Sequence, residues 1–523
     1  MLQRAELQRR EVAGLTPRLH KSAMGQFMTN ADVAAFMAGL LEPKAGPHVL
    51  LDPGAGLGAL SCAVLDSWKS GKLGDGSMSV EAHELDGRLR EHLEATLVGY
   101  ESDGVRVTVR EGDYLAAAAD DLEKSRAPFT LCVMNPPYKK IAASSNARVQ
   151  ARRIGLETVN LYSAFVGAAL AQMANGGQLV AIIPRSFANG PYYKPFRRFI
   201  LDRASLKHIH LFDSRTKAFR DDEVLQENVI LLLERGGEQG NVTITSSTDD
   251  SFSDLRTQEF PFSAIVKPQD KESFIHVPTD EADLIEASPL VGASLADVGV
   301  SVSTGPIVDF RTREHLRAMP EEGTVPLIYA FHIDGTKTTW PIEGAKKANA
   351  LVRDARTERS IWPTGYYVVV RRFSSKEEKR RVVAYLVQPQ DLKGQERLAF
   401  ENHSNVFHFN KQGLEEDVAW GLFVYLNSTA LDDHLRRFSG HTQVNATDLR
   451  NMPYPTRETL EKMGRWAGST PKSRTVVKGL RTSGLAWRPF VASSGCGTAR
   501  CIRTHPPSRH RALGRSCGRP ARA

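Results

Sequence analysis

Asn135, Pro136, Pro137 and Tyr138 place an amide oxygen, two stiff residues and an aromatic ring directly after the apolar run Phe129 to Met134. An exocyclic amino nitrogen of a nucleobase is a poor nucleophile because its lone pair is delocalised into the ring. The Asn135 amide oxygen and the carbonyl of Pro136 can each accept one of its N–H bonds. That draws the amine toward tetrahedral geometry with its lone pair aimed outward. The prolines stiffen the loop and hold those acceptors still. Tyr138 can stack on the base, which must leave a duplex before its amine is reached. No strong base is needed ahead of attack on a positively charged sulfonium methyl donor, since the product proton can leave to water. A surface loop of the same four residues is the competing interpretation.

A second group lies upstream. The strand-like run from His48 leads into Asp52-Pro53-Gly54-Ala55-Gly56-Leu57-Gly58, a glycine-rich turn of the kind that lets backbone approach a ligand. Glycine is also what a tight strand-to-helix turn needs for packing. The next strand ends at Glu84-Leu85-Asp86, where a carboxylate can accept hydrogen bonds from both hydroxyls of a ribose. A third ends at Glu111-Gly112-Asp113-Tyr114, where Asp113 can accept from an adenine amino group. A solvated strand end explains either acid without a ligand.

These residues come together only if the strands are parallel and open on one edge. The predicted strands are His48 to Asp52, Met78 to Glu84, Val105 to Val109, Phe129 to Met134, Gln178 to Ile183, Leu206 to Phe212 and Asn228 to Glu234. They alternate with helical stretches, which implies an open α/β sheet with crossover helices. Ala31 to Leu41 reads as a helix with Val33, Phe36, Met37, Leu40 and Leu41 on one face, and Thr29 and Asp32 as its capping pair. After residue 235 the texture turns to Gly, Ser, Thr and Asp. In the second region Gly365 to Arg372 and Arg381 to Val387 read as a hairpin with Lys376 and Lys379 at its basic tip, and Val418 to Leu435 as a helix followed by a polar loop.

The chain of 523 residues is too long for one core and excludes a small disulfide scaffold. With 41% hydrophobic and 24% charged residues it has the composition of an ordinary soluble globular protein. Its longest apolar runs fall well short of the roughly 20 residues a membrane span requires. The charged N-terminus shows no secretory signal, so a cytoplasmic location is expected. The net charge of +8 is misleading, because residues 471–523 carry ten Arg and two Lys and no acid. Without that tail 56 basic side chains face 60 acidic ones, a net of −4, so DNA contact by the body requires a local basic patch. The tail is expected to be disordered. Its composition suits a basic arm and an out-of-frame translation of GC-rich DNA equally. Cys62 and Cys132 lie in apolar segments and are expected to be buried inert thiols; no metal site is indicated.

The order Gly25-Gln26-Phe27-Met28-Thr29, glycine loop, Glu84, Asp113, Asn135 to Tyr138, then a separate C-terminal region, resembles the gamma-class amino-methylating DNA methyltransferases. It is closest to their Eco57I-like and TaqI-like members, which make N6-methyladenine. The resemblance covers about residues 20 to 240 and, more faintly, 290 to 460. There, Arg437 to Gln443 and Asp448 to Pro453 look like the end of a target-recognition domain. It implies a Rossmann-like, seven-stranded class I methyltransferase sheet followed by a mixed α+β target-recognition domain. The implied divisions are an extension over 1–20, the catalytic domain over 21–240, a connecting segment over 241–290, recognition over 291–470 and the tail over 471–523.

The resemblance also implies S-adenosylmethionine as cofactor. Thr29 and the Asp52, Pro53, Gly54, Gly56 and Gly58 turn would lie near its methionine part, Glu84 at the ribose and Asp113 at the adenine. Phe219 matches an aromatic that packs on the flipped adenine opposite Tyr138, with Phe212 as the fallback. Arg371, Arg372, Lys376, Ser439, Gly440, His441 and Gln443 are the candidates for DNA contact. The implied partners are double-stranded DNA and a cognate restriction endonuclease, with the enzyme held at the bacterial nucleoid through DNA. So short a segment before the cofactor motifs favours a stand-alone modification enzyme over one fused to a nuclease. Methylation of a protein glutamine or of a guanine amine in ribosomal RNA, and a catalytically silent specificity subunit, are the alternatives.

Overall fold

The computed structural model describes residues 2, 3, 5–7, 9, 28–126, 128–213, 227–278, 283–374, 378–440 and 442–469. The basic tail, Gly25 to Phe27, Phe219, Lys376 and His441 therefore lie outside the described residues.

Apolar runs in the first half form β1 (His48–Pro53), β2 (Met78–His83), β3 (Arg106–Arg110), β4 (Phe129–Met134), β5 (Met173–Pro184), β6 (Ala204–Phe212) and β7 (Asn228–Arg235). Two further strands, β8 (Val242–Ser247) and β9 (Arg256–Phe260), complete a nine-stranded sheet in the order β3-β2-β1-β4-β5-β7-β6-β8-β9. Neighbours from β3 to β5 run parallel, whereas β7 is antiparallel to both β5 and β6. This is the expected seven-stranded sheet with two strands added at one edge. The addition corrects the sequence expectation that 241–290 is connecting chain, because β8 pairs with β6 and β9 with β8 inside that segment.

Successive residues of the central strands serve opposite faces. Leu50, Val133 and Ile182 enter one apolar cluster with α1 (Ala31–Gly39), α2 (Ala59–Lys69) and α3 (Gly87–Leu97). Leu51, Cys132 and Ile183 enter the other, with α4 (Tyr114–Glu123), α5 (Asn146–Arg153), α6 (Leu161–Gln172) and α7 (Lys194–Leu201). Covering both faces is what lets parallel strands be apolar throughout. The α1 cap differs from expectation. Asn30 is the N-cap, accepting from the Val33 N–H at 2.9 Å, and this leaves Thr29 free of helix duty.

Past residue 290 an antiparallel sheet joins Ser301–Thr304, Ser404–His408, Tyr367–Arg371 and Ala384–Val387; the last two are the hairpin expected from the sequence. A five-stranded sheet lies alongside in the chain. The predicted helix over 418–435 is two helices, Glu416–Leu426 and Thr429–Phe438. The apolar periodicity continues across the join, but Ser428 caps the second helix by accepting from Leu431 N–H. Among the described residues no helix is long and apolar enough to cross a membrane.

Candidate active site

In the order β3-β2-β1-β4-β5 the chain reverses its direction of build-up between β1 and β4, and ligands of open α/β sheets bind in the crevice beyond the carboxyl ends of the strands at such a point. A cavity of about 310 Å³ opens there. Its wall includes Thr29, Gly54, Gly56, Glu84, Asp113, Asn135 and Pro137, so one site gathers seven residues of the sequence set.

The glycine turn is built by backbone conformation. Gly54, Gly56 and Gly58 have φ of +91°, +58° and +84°, values that glycine adopts without a Cβ penalty. The N–H groups of Gly54 and Ala55 donate to the His83 carbonyl at 2.9 and 2.8 Å, tying the turn to the end of β2. Glu84 is 4% exposed. One of its carboxylate oxygens accepts from Gly56 N–H at 2.9 Å and the other from Asp86 N–H at 2.8 Å. Burial raises its pKa against the pull of those two bonds. The carboxylate plane is thus fixed by backbone donors on both oxygens. Asp113 caps α4 by accepting from Leu115 N–H at 2.9 Å and remains exposed at the rim.

Three members of the expected cofactor set do not line the cavity. Asp52 is fully buried beneath the turn and accepts from the Ser61 hydroxyl at 2.6 Å. Burial pushes its pKa up to about 7. Pro53 is buried at the end of β1. Gly58 begins α2 so tightly against α3 that a Cβ there would sit 2.9 Å from Leu93 Cδ1. These three shape the turn from behind. Phe165, Leu161 and the N-terminal pair Ala5 and Arg9 also line the cavity. No motif marked them, because their role depends on α6 and the N-terminal segment folding over the crevice.

Asn135 to Tyr138 leave the end of β4. The Asn135 amide is held at both ends, its Nδ2 donating to Thr29 Oγ1 at 3.1 Å and its Oδ1 accepting from the Tyr138 hydroxyl at 2.9 Å. That hydroxyl also approaches the Ile182 carbonyl at 3.1 Å. Pro136 is buried between them. Asn135 and Pro137 face the first cavity, whereas Tyr138 faces a second of about 520 Å³ on the other side of the loop. The Tyr138 ring meets Tyr162 edge-on at 6.2 Å.

The second cavity lies between the large sheet and the C-terminal region. Ser186 and Glu227 come from the first, Thr304, Arg372, Gly440 and Gln443 from the second. Arg372, Gly440 and Gln443 of the expected DNA-contact set thus line this cavity. Arg371 and Ser439 do not line it: Arg371 pairs with Glu378, and Ser439 is buried, accepting from Arg381 Nη2 at 3.1 Å. Arg381, where the second strand of the expected hairpin was to begin, is itself 1% exposed, so its charge is internal. The fallback aromatic Phe212 is a core residue, packed edge-on against His210 at 4.6 Å. Both body cysteines are buried, and burial pushes the Cys62 thiol up to about 12, as inert thiols require.

Residues 100–219 match the family model of the Eco57I restriction-modification methylase. The chain is 47% identical to the type II methyltransferase M.BsuBI of Bacillus subtilis, over 86% of this chain and 90% of that protein. It is 42% identical to the type II methyltransferase M.PstI of Providencia stuartii, over 84% of this chain and 89% of that protein. Among solved structures, the type IIL restriction-modification enzyme MmeI in complex with DNA is similar with a TM-score of 0.49 and 10% identity, covering 95% of this chain and 75% of that one.

Proposed function

Because the chain belongs to the type II methyltransferases of restriction-modification systems, we propose that it methylates the N6 amine of an adenine swung out of a specific site in double-stranded DNA. S-adenosylmethionine is the methyl donor, and when bound it supplies a methyl group on a positively charged sulfur. The first cavity suits it. Glu84, held in the cavity wall by backbone donors, faces the ribose hydroxyls as their acceptor, and Asp113 at the rim offers an acceptor to the adenine amine. The glycine turn and Thr29 leave room for the methionine arm.

The observation that carries the reading is the position of the Asn135 to Tyr138 loop as the wall shared by both cavities. A base on the Tyr138 side presents its amine to the Asn135 oxygen and the Pro136 carbonyl. As those acceptors take its two N–H bonds, the lone pair turns toward the donor side. The product proton leaves to water. The sheet domain is the catalytic unit in this reading, and the region from 291 onward is the target reader. Arg372 and Gln443 contact DNA, and a cognate endonuclease cuts the same site when unmethylated.

The test supplies labelled S-adenosylmethionine with duplex DNA, ribosomal RNA or release factor, then digests labelled DNA to nucleosides. N6-methyladenosine, as its deoxy form, is expected. Label in N4-methylcytosine, RNA or protein instead overturns the assignment.

A further inference from the structure

β5 ends at Pro184, and the next residue, Arg185, donates its backbone N–H to the Glu227 carbonyl at 2.7 Å. Its side chain points across to the C-terminal region and is almost completely buried. Nη1 donates to the Glu227 carboxylate at 2.7 Å. Nη2 donates to the carbonyls of Arg437 and Arg436 at 2.9 and 3.2 Å, in the last turn of helix Thr429–Phe438. A cation there complements the negative end of the helix. Gly440, two residues beyond, is pressed onto the same arginine: a Cβ would lie 2.6 Å from the Arg185 carbonyl oxygen. Its N–H donates to Asn189 Oδ1 at 3.2 Å, and the fully buried Asn189 donates in turn to Asp448 at 3.1 Å.

A buried ion pair costs solvation that apolar packing would not, so stability is a poor reason for its presence. Its geometry is more informative. A guanidinium fork spent on a carboxylate and two carbonyls holds three groups in fixed directions from two separate nitrogens, whereas the three donors of an ammonium rotate about a single atom. Two of those positions end the helix that leads into the Gly440 to Gln443 loop. The third, Glu227, stands in the wall of the cavity faced by Tyr138.

We infer that Arg185, oriented by Glu227, is a positioning residue for target recognition, holding Gly440, Thr442 and Gln443 in register with the Tyr138 wall. A DNA site is then methylated efficiently only when its bases fit the loop while its target base reaches Tyr138. The inference rests on the proposed reading of the second cavity as the DNA side.

Two variants approach the contact from opposite sides. Arg185→Lys keeps the charge beside Glu227 and loses the fork; Gly440→Ala leaves Arg185 intact and wedges the loop away from it. The full chain is given labelled S-adenosylmethionine and plasmid DNA, methylated positions are mapped by sequencing, and rates are compared on duplexes carrying the mapped site or one changed base pair. For both variants the ratio of kcat/KM between mapped and changed sites should fall tenfold or more, with cofactor Kd within twofold of the parent. An unchanged ratio overturns the inference, as does parallel loss of cofactor affinity and rate in both variants. If Arg185→Lys does not fold, the Gly440→Ala ratio decides. A parent chain that methylates DNA without site preference sinks the base-reading role itself; a parent preference retained by the variants sinks only the role of Arg185.

Discussion

Asn135 depends on its neighbours for aim. Its amide nitrogen is tied to Thr29, a residue 106 positions earlier, across a partly buried 3.1 Å bond. Such a bond is worth about 1 kcal/mol, roughly a fivefold effect on a rate that needs the amide in place. Thr29→Ala should therefore slow methyl transfer about fivefold, and Thr29→Ser, which keeps the hydroxyl, should restore most of it. Equal rates for the two variants in a single-turnover assay would show that the bond does not orient the amide. The four-residue motif was legible because its types and order are unusual. The tie to Thr29 was not, since the helix-capping signal at 29 and 32 pointed to a different job for that hydroxyl.

Asp52 gives a prediction with a sign. Its carboxyl titrates near the ordinary 3.8 in the unfolded chain and is pushed up to about 7 by burial in the fold. Between those values the folded state holds a proton that the unfolded chain has released. The stability this group contributes is thus full below pH 3.8 and is lost as pH rises toward 7. Asp52→Asn keeps an acceptor for Ser61 and removes the titration. At about 1.4 kcal/mol per pH unit, the variant should gain about 3 kcal/mol on the parent between pH 5 and pH 8 in urea unfolding without cofactor. Parallel stability curves over that range would refute the burial argument.

At the scale of elements, most of the seven strands were legible to within two residues because a central strand is an apolar run between polar turns, whereas β5 begins at Met173, five residues before its expected start, in the polar stretch Ala174 to Gly177. Phe129 to Met134 matches its expected bounds, and β1 gains only Pro53. The glycine turn was equally plain, although the sequence could not divide its glycines between ligand approach and packing. Gly58 belongs to packing, with φ of +84° and Leu93 Cδ1 in the place of a Cβ. Gly58→Ala should cost about 1–3 kcal/mol of stability from backbone strain and the clash. A change under 0.5 kcal/mol in denaturant unfolding would mean that α2 and α3 separate freely. The helix break at Asn427 and Ser428 was hidden because Leu426 and Leu431 keep the apolar spacing on both sides of it. The edge strand β9 was hidden for another reason: Arg256–Phe260 is mostly exposed and carries little apolar signal.

The whole molecule places one loop between two cavities, and this was the least legible level. Glu84, Asp113 and Asn135 announce the first cavity, since each follows an apolar strand and parallel strands open on one edge. The second collects Asn160, Glu227, Thr304 and Arg450 from elements far apart in the chain, with no shared motif. Charge gave little help, because basic residues at the expected DNA face divide between the cavity, as Arg372 does, and internal bonds, as Arg381 does. What unites the two halves is a set of buried polar bonds through Arg185 and Asn189, which only the folded chain brings together.

In the proposed reaction the Asn135 amide activates the amine of the target base and does nothing for the donor. Measuring the single-turnover methylation rate on DNA and the S-adenosylmethionine Kd for the parent and Asn135→Ala tests it directly. Loss of a preorganised hydrogen-bonding group should lower the rate about 100-fold or more, with Kd changed less than threefold. A variant that methylates at the parent rate, or one whose lost rate is explained by lost cofactor affinity, contradicts the account.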